Sequence, residues 1–96
     1  MLKYRFDEAA LRIGDTANDQ DVEFRIVLLS GDPALAEGMK RVRQFFDENE
    51  VYTDVLFYQY PDREYKVIVR KDYYTDFILE LMKQRLLQSV AWAGDQ

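Results

Sequence analysis

The stretch from Val51 to Lys71, VYTDVLFYQYPDREYKVIVRK, limits the possible folds more than any other part of the chain. Two runs dense in Val, Tyr, Phe and Ile, side chains that fit a pleated, half-buried surface, flank Pro61-Asp62, which supplies turn chemistry. The pattern predicts a β-hairpin. Its register follows from matching the faces, because a slip of one residue turns a strand's side chains to the opposite side. With Gln59 opposite Tyr65, Phe57 meets Val67 and Val55 meets Val69 on one face, while Tyr58 meets Lys66, Leu56 meets Ile68 and Asp54 meets Arg70 on the other. One face is then apolar and the other charge-matched, and Pro61, Asp62 and Arg63 form the loop. A two-residue loop instead sets Phe57 against Lys66 and Asp54 against Val69. The longer loop has one cost, since it places Arg63 at a left-handed position that favours Gly.

Upstream, residues 2–6 alternate apolar and basic and read as a short strand. Residues 7–13 fit either a short helix capped by Asp7 or an extended segment kinked near Asp7-Glu8, and the alternation of Leu11, Arg12 and Ile13 favours the second. Residues 14–21, GDTANDQD, hold no large apolar side chain and read as a polar loop. Residues 22–30, VEFRIVLLS, pass from strict alternation to a continuous apolar run, as expected of a central strand that becomes buried on both faces. Gly31-Asp32-Pro33 then gives a turn, an N-cap and a first-turn proline. The helix they start carries Leu35, Met39, Val42 and Phe46 on one stripe and runs to about Asn49. Gly38 on that helix suggests close packing. After the hairpin, Asp72 offers a second N-cap for a long helix from Tyr73 to about Trp92. On it Ile78, Leu79, Met82, Leu86 and Val90 make a core face, with Phe77, Leu81 and Trp92 as a surplus flank.

These elements make one α+β domain over residues 1–96, a two-layer sandwich of an antiparallel sheet with two helices on one face, in the order ββαββα. The unit from residue 22 to residue 92, β-α-β-β-α, resembles the ferredoxin-like plan without its last strand. The N-terminal strand, hairpinned to strand 22–30, fills that gap and gives a circularly permuted ferredoxin-like sheet. Strands 22–30 and 63–71 then lie side by side, with a helical connection of the kind parallel neighbours need. The resemblance is to a widely shared plan and carries no function with it.

The chain holds neither Cys nor His, which removes thiolate and imidazole catalysis, disulfides and the commonest zinc sites. The net charge of −5 opposes non-specific adhesion to nucleic acid or anionic membrane. No run approaches the roughly 20 apolar residues of a membrane span. These features predict a cytoplasmic protein with no cofactor. The acidic group Asp47, Glu48 and Glu50 lacks calcium-loop spacing and reads as solvated. Tyr73-Tyr74 has no base or phosphate-binding loop beside it, so catalysis is not expected.

What remains is surface. The sheet face away from the helices is expected to carry Lys3, Arg5, Arg25, Val27 and Leu29, then Tyr52, Asp54, Leu56, Tyr58 and Tyr60, then Lys66, Ile68 and Arg70. An apolar centre with a charged, tyrosine-rich rim is interface material. Together with the flank of Phe77, Leu81 and Trp92, it points to a self-associating interaction or regulatory module, a homodimer that also meets another protein. Two further functions stay open: a ligand-sensing regulatory domain with its site at a dimer interface, and binding of single-stranded nucleic acid on the open face. Against the latter, the tyrosines fall on an edge strand and the basic-Gly-aromatic signature of RRM domains is absent.

Overall fold

The computed structural model describes residues 2–48 and 55–93. Along them run β1 (Leu2–Arg5), β2 (Leu11–Ala17), β3 (Asp21–Leu28), α1 (Pro33–Glu48), β4 (Val55–Tyr60), β5 (Glu64–Arg70), α2 (Tyr74–Lys83) and β6 (Ser89–Trp92). The architecture is mixed α+β, with a four-stranded sheet in the order β2-β3-β5-β4 and a separate two-stranded ribbon of β1 and β6.

The β4–β5 hairpin has the register expected of it, with Gln59 opposite Tyr65, Phe57 opposite Val67 and Val55 opposite Val69. The Asp54–Arg70 pairing lies outside the described residues. Asp62 and Arg63 both adopt left-handed backbone, at φ 63° and 61°. The turn is tied to the end of β3: Arg63 Nη1 donates to the Ser30 carbonyl at 2.9 Å, and Leu28 N–H donates to the Arg63 carbonyl at 3.0 Å. Those bonds help hold a loop that lacks glycine.

β3 is central, as its apolar run implies, and it buries Val22, Phe24, Ile26 and Leu28 on one face. It does not become buried on both faces. Val27 is half-buried, and Leu29, just past the strand, is exposed. β3 and β5 are neighbours as expected, but they run antiparallel. The parallel strands joined by α1 are β3 and β4, with β5 between them.

Three segments depart from the sequence reading. The N-terminal strand is not the partner of β3; it pairs with β6, Leu2 opposite Trp92 and Arg5 opposite Ser89. A turn at residues 8–10, in which the Asp7 carbonyl accepts from Ala10 and Leu11 N–H, separates it from β2. The polar stretch 14–21 is largely strand, because Gly14 to Ala17 complete a ladder with Val22 to Arg25. Backbone pairing to a well-buried neighbour overrides the lack of apolar side chains there. The second helix ends at Lys83, and residues that were expected to extend it form β6 instead.

Asp32 caps α1 as its sequence implies, accepting from Ala34 N–H at 3.0 Å. Asp72 does not cap α2; it lies within a 3-10 turn over Lys71–Tyr73 that leads into the helix. Both helices pack on the sheet face that carries Phe24 and Phe57. Phe77 lies 4.8 Å from Phe24 between ring centroids, and Phe46 lies 5.9 Å from Phe77. Phe77 and Leu81, expected on a partner-facing flank, are fully buried in this core, while Leu79 and Met82, expected inside, are exposed. With α2 ending at Lys83, the buried apolar face of this ten-residue helix consists of Tyr74, Phe77, Ile78 and Leu81.

Candidate functional site

The sheet face away from the helices follows directly from the register. Its rows read Arg12, Val27, Glu64, Tyr60; then Gly14, Arg25, Lys66, Tyr58; then Thr16, Glu23, Ile68, Leu56. Arg70, opposite Asp21, continues it. Eight of the residues singled out from sequence thus share one surface: Arg25, Val27, Leu56, Tyr58, Tyr60, Lys66, Ile68 and Arg70. Lys3 and Arg5 are instead on the β1–β6 ribbon, and Arg12 and Thr16 of β2 take their place. Tyr52 lies outside the described residues. Trp92 is 73% exposed on β6, away from the buried Phe77 and Leu81 with which it was grouped.

The distribution of charge on this face also differs from the expected apolar centre. Its middle holds Arg25 directly opposite Lys66. Arg25 Nη1 reaches Glu64 Oε2 at 2.5 Å and its other terminal nitrogen is 3.8 Å from Glu23. Lys66 Nζ sits 5.5 Å over the Tyr58 ring. Two adjacent cations are therefore balanced by two carboxylates and one ring. The apolar part lies to one side, where Leu56, Tyr58 and Tyr60 of β4 are each more than 40% exposed beside half-buried Ile68.

On the helix side, a groove of about 360 Å³ runs between α1 and the β4–β5 hairpin. Phe57, Gln59 and Tyr65 form its sheet side, and Met39, Lys40 and Arg43 its helix side. Arg43 has an i,i+4 contact with Asp47 at 3.5 Å, between two exposed side chains. None of these is among the interface residues that the sequence leads one to expect. The signal was present in two places, the Lys40/Arg43 spacing on one helix face and the alternation of β4, but only the fold sets them side by side.

A third cluster joins the ribbon to the sheet. The Tyr4 hydroxyl donates to Asp15 Oδ2, and Tyr74 accepts the Leu2 N–H. Burial first, and then the hydrogen bond to Asp15, push the Tyr4 phenol well above its ordinary value. Burial likewise raises Tyr74, with the Leu2 bond acting in the opposite sense. Both phenols stay protonated near neutrality and hold these hydrogen bonds between the ribbon and its neighbours.

Among the described residues no group of three or more acidic side chains is placed to hold a metal ion. No described helix is long and apolar enough to cross a membrane. No family model, curated protein or solved structure matches the chain.

Proposed function

We propose that this chain is a small cytosolic protein–protein interaction module, without catalytic activity, that self-associates as a homodimer. The strand order, with β2 beside β3 in the place of a fourth strand, supports reading its frame as a circularly permuted ferredoxin-like sheet. The observation that carries the function is the exposure of Leu56, Tyr58 and Tyr60 in a row on β4, beside Ile68. Aromatic and aliphatic groups that line one side of a small domain, edged by Arg and Lys, are the material of interfaces. Stacking two such faces about a two-fold axis puts Leu56 and Ile68 near the contact and leaves the Arg25–Glu64 pair toward its rim, where an ion pair keeps its water.

Sedimentation equilibrium at micromolar concentration tests the proposal. The expected mass is twice that of the chain, and Ile68→Glu returns it to the monomer value with the far-UV circular dichroism intact. A monomer mass for the unmodified chain across that range rejects self-association.

A further inference from the structure

The groove beside α1 lies against the outer edge of β4, and the two features together describe a second docking surface. β4 is at the end of its sheet, hydrogen-bonded only to β5 among the described residues. Alternate residues of an edge strand present free N–H and C=O groups outward, a template for another extended chain. Proteins usually guard such edges with charge or proline inside the strand. β4, VLFYQY, has neither, while the opposite edge strand, β2, carries Arg12 and Asp15.

An added strand lies about 4.8 Å beyond β4, and every second side chain of it points to the helix side. There it meets the groove, where Phe57 and Met39 offer apolar contact and Gln59 and Tyr65 offer polar groups. At the groove's helix wall are Lys40 and Arg43. Lys40 has no ion-pair partner among the described residues, and Arg43 has only its exposed contact with Asp47. Two cations converge on this groove in a chain whose net charge is −5. The charge complementarity therefore selects an occupant with carboxylates. A second copy of β4 does not supply them, since that strand has no Asp or Glu.

We propose that the outer edge of β4 and the groove beside α1 bind an extended acidic peptide segment of another protein, which adds as a fifth strand and sets its carboxylates against Lys40 and Arg43. Backbone pairing supplies affinity, and the alternate side chains that enter the groove supply selectivity. This goes beyond self-association, and it uses the sheet's edge and helix side rather than its open face.

The test uses two capped octapeptides, TETLTETV and TKTLTKTV, which place either two acids or two lysines, with the same Leu and Val, on one side of an extended strand. Each is titrated to millimolar concentration into the uniformly ¹⁵N-labelled full chain, and into the Ile68→Glu variant so that any dimer is absent. The acidic peptide is expected to shift amides of residues 55–60 and of the α1 segment around Lys40, and to slow hydrogen exchange of alternate β4 amides. The double variant K40E/R43E is expected to weaken that peptide by about tenfold and to bind the basic one instead. Equal response to both peptides, shifts confined to the open face, or no response to the acidic peptide at millimolar concentration overturns the proposal. So does protection of β4 that depends on protein concentration alone, which assigns the edge to a second copy. The peptide outcomes leave the sedimentation mass of the unmodified chain unchanged, and a dimer through the β4 edge survives Ile68→Glu whereas one through the open face does not, so the two proposals fail separately.

Discussion

The Leu86 N–H donates to the Leu81 carbonyl at 3.0 Å, and that bond ends α2. Beside it the Arg85 N–H donates to the Met82 carbonyl, also at 3.0 Å, and Arg85 adopts left-handed backbone at φ 64°. Two such bonds around one left-handed residue are the Schellman motif, and the buried pair Leu81 and Leu86 supplies the apolar contact that accompanies it. The reversal also lets Leu87 reach the core and brings Ser89–Trp92 alongside β1.

Replacing Arg85 by Gly should stabilise the protein. A left-handed conformation costs an ordinary L-residue roughly 1–2 kcal/mol, partly offset by the greater freedom glycine loses on folding. The expected net gain for Arg85→Gly is about 0.5–1 kcal/mol, read as a higher urea midpoint with an unchanged slope. A lower midpoint means that the exposed Arg85 side chain contributes more than the strain it imposes.

The same turn fixes which side of α2 is inside. Phe77 is fully buried against Phe24 and Phe46, whereas Leu79, two residues on, is 51% exposed. Phe77→Ala should cost about 3–5 kcal/mol, and Leu79→Ala less than about 1 kcal/mol. Denaturant melts that reverse this order place the helix the other way round.

Sequence made the hairpin legible because both signals in it were local: Pro61-Asp62 marks the turn, and the pairing of Val55 with Val69 separates one register from the next. The outward-facing set from Arg25 to Arg70 follows from that register, so most of the open face was readable as well. The end of α2 was not. Its motif has Arg85 where glycine is the usual marker, and Leu86, Leu87 and Val90 continue a helical spacing that the chain abandons. β2 is hidden in the sequence for a different reason. Its second half has no apolar side chain larger than Ala17, and only the neighbouring β3 makes it a strand. The two ends of the chain are coupled, since β1 takes its place only because residues 89–92 leave the helix and pair with it.

Alkaline pH should loosen the contact between ribbon and sheet. Folding raises the Tyr4 phenol above its unfolded value, chiefly by burial and then by its bond to Asp15. The protonated phenol is thus favoured in the folded state. Its stabilisation is complete below about pH 10, the unfolded value, and is lost progressively as pH rises further. Tyr4→Phe should cost about 0.5–1.5 kcal/mol near neutrality through the lost hydrogen bond. Above pH 10 the gap between the two proteins should narrow, as followed by urea melts at stepped pH. A gap that stays constant through that range assigns the alkaline loss to other groups.

Two glycine substitutions should act in opposite directions. Gly14, on β2, has nothing within 4 Å of where a Cβ would stand, so Gly14→Ala reduces unfolded-state freedom at no steric cost and should stabilise by about 0.4–1 kcal/mol. Gly38 lies within α1, where alanine is favoured by up to about 1 kcal/mol on propensity alone. There, however, a Cβ meets the Gln84 carbonyl oxygen and the Leu86 Cδ2, each at 3.3 Å. Neither neighbour can retreat easily. The Gln84 carbonyl belongs to the turn that ends α2, and Leu86 is 3% exposed. The crowding should outweigh the propensity, so that Gly38→Ala destabilises by about 1 kcal/mol despite placing a better helix former in a helix. Thermal and urea melts of the two single variants check both signs. A stabilised Gly38→Ala means that α1 shifts away from the end of α2 at little cost.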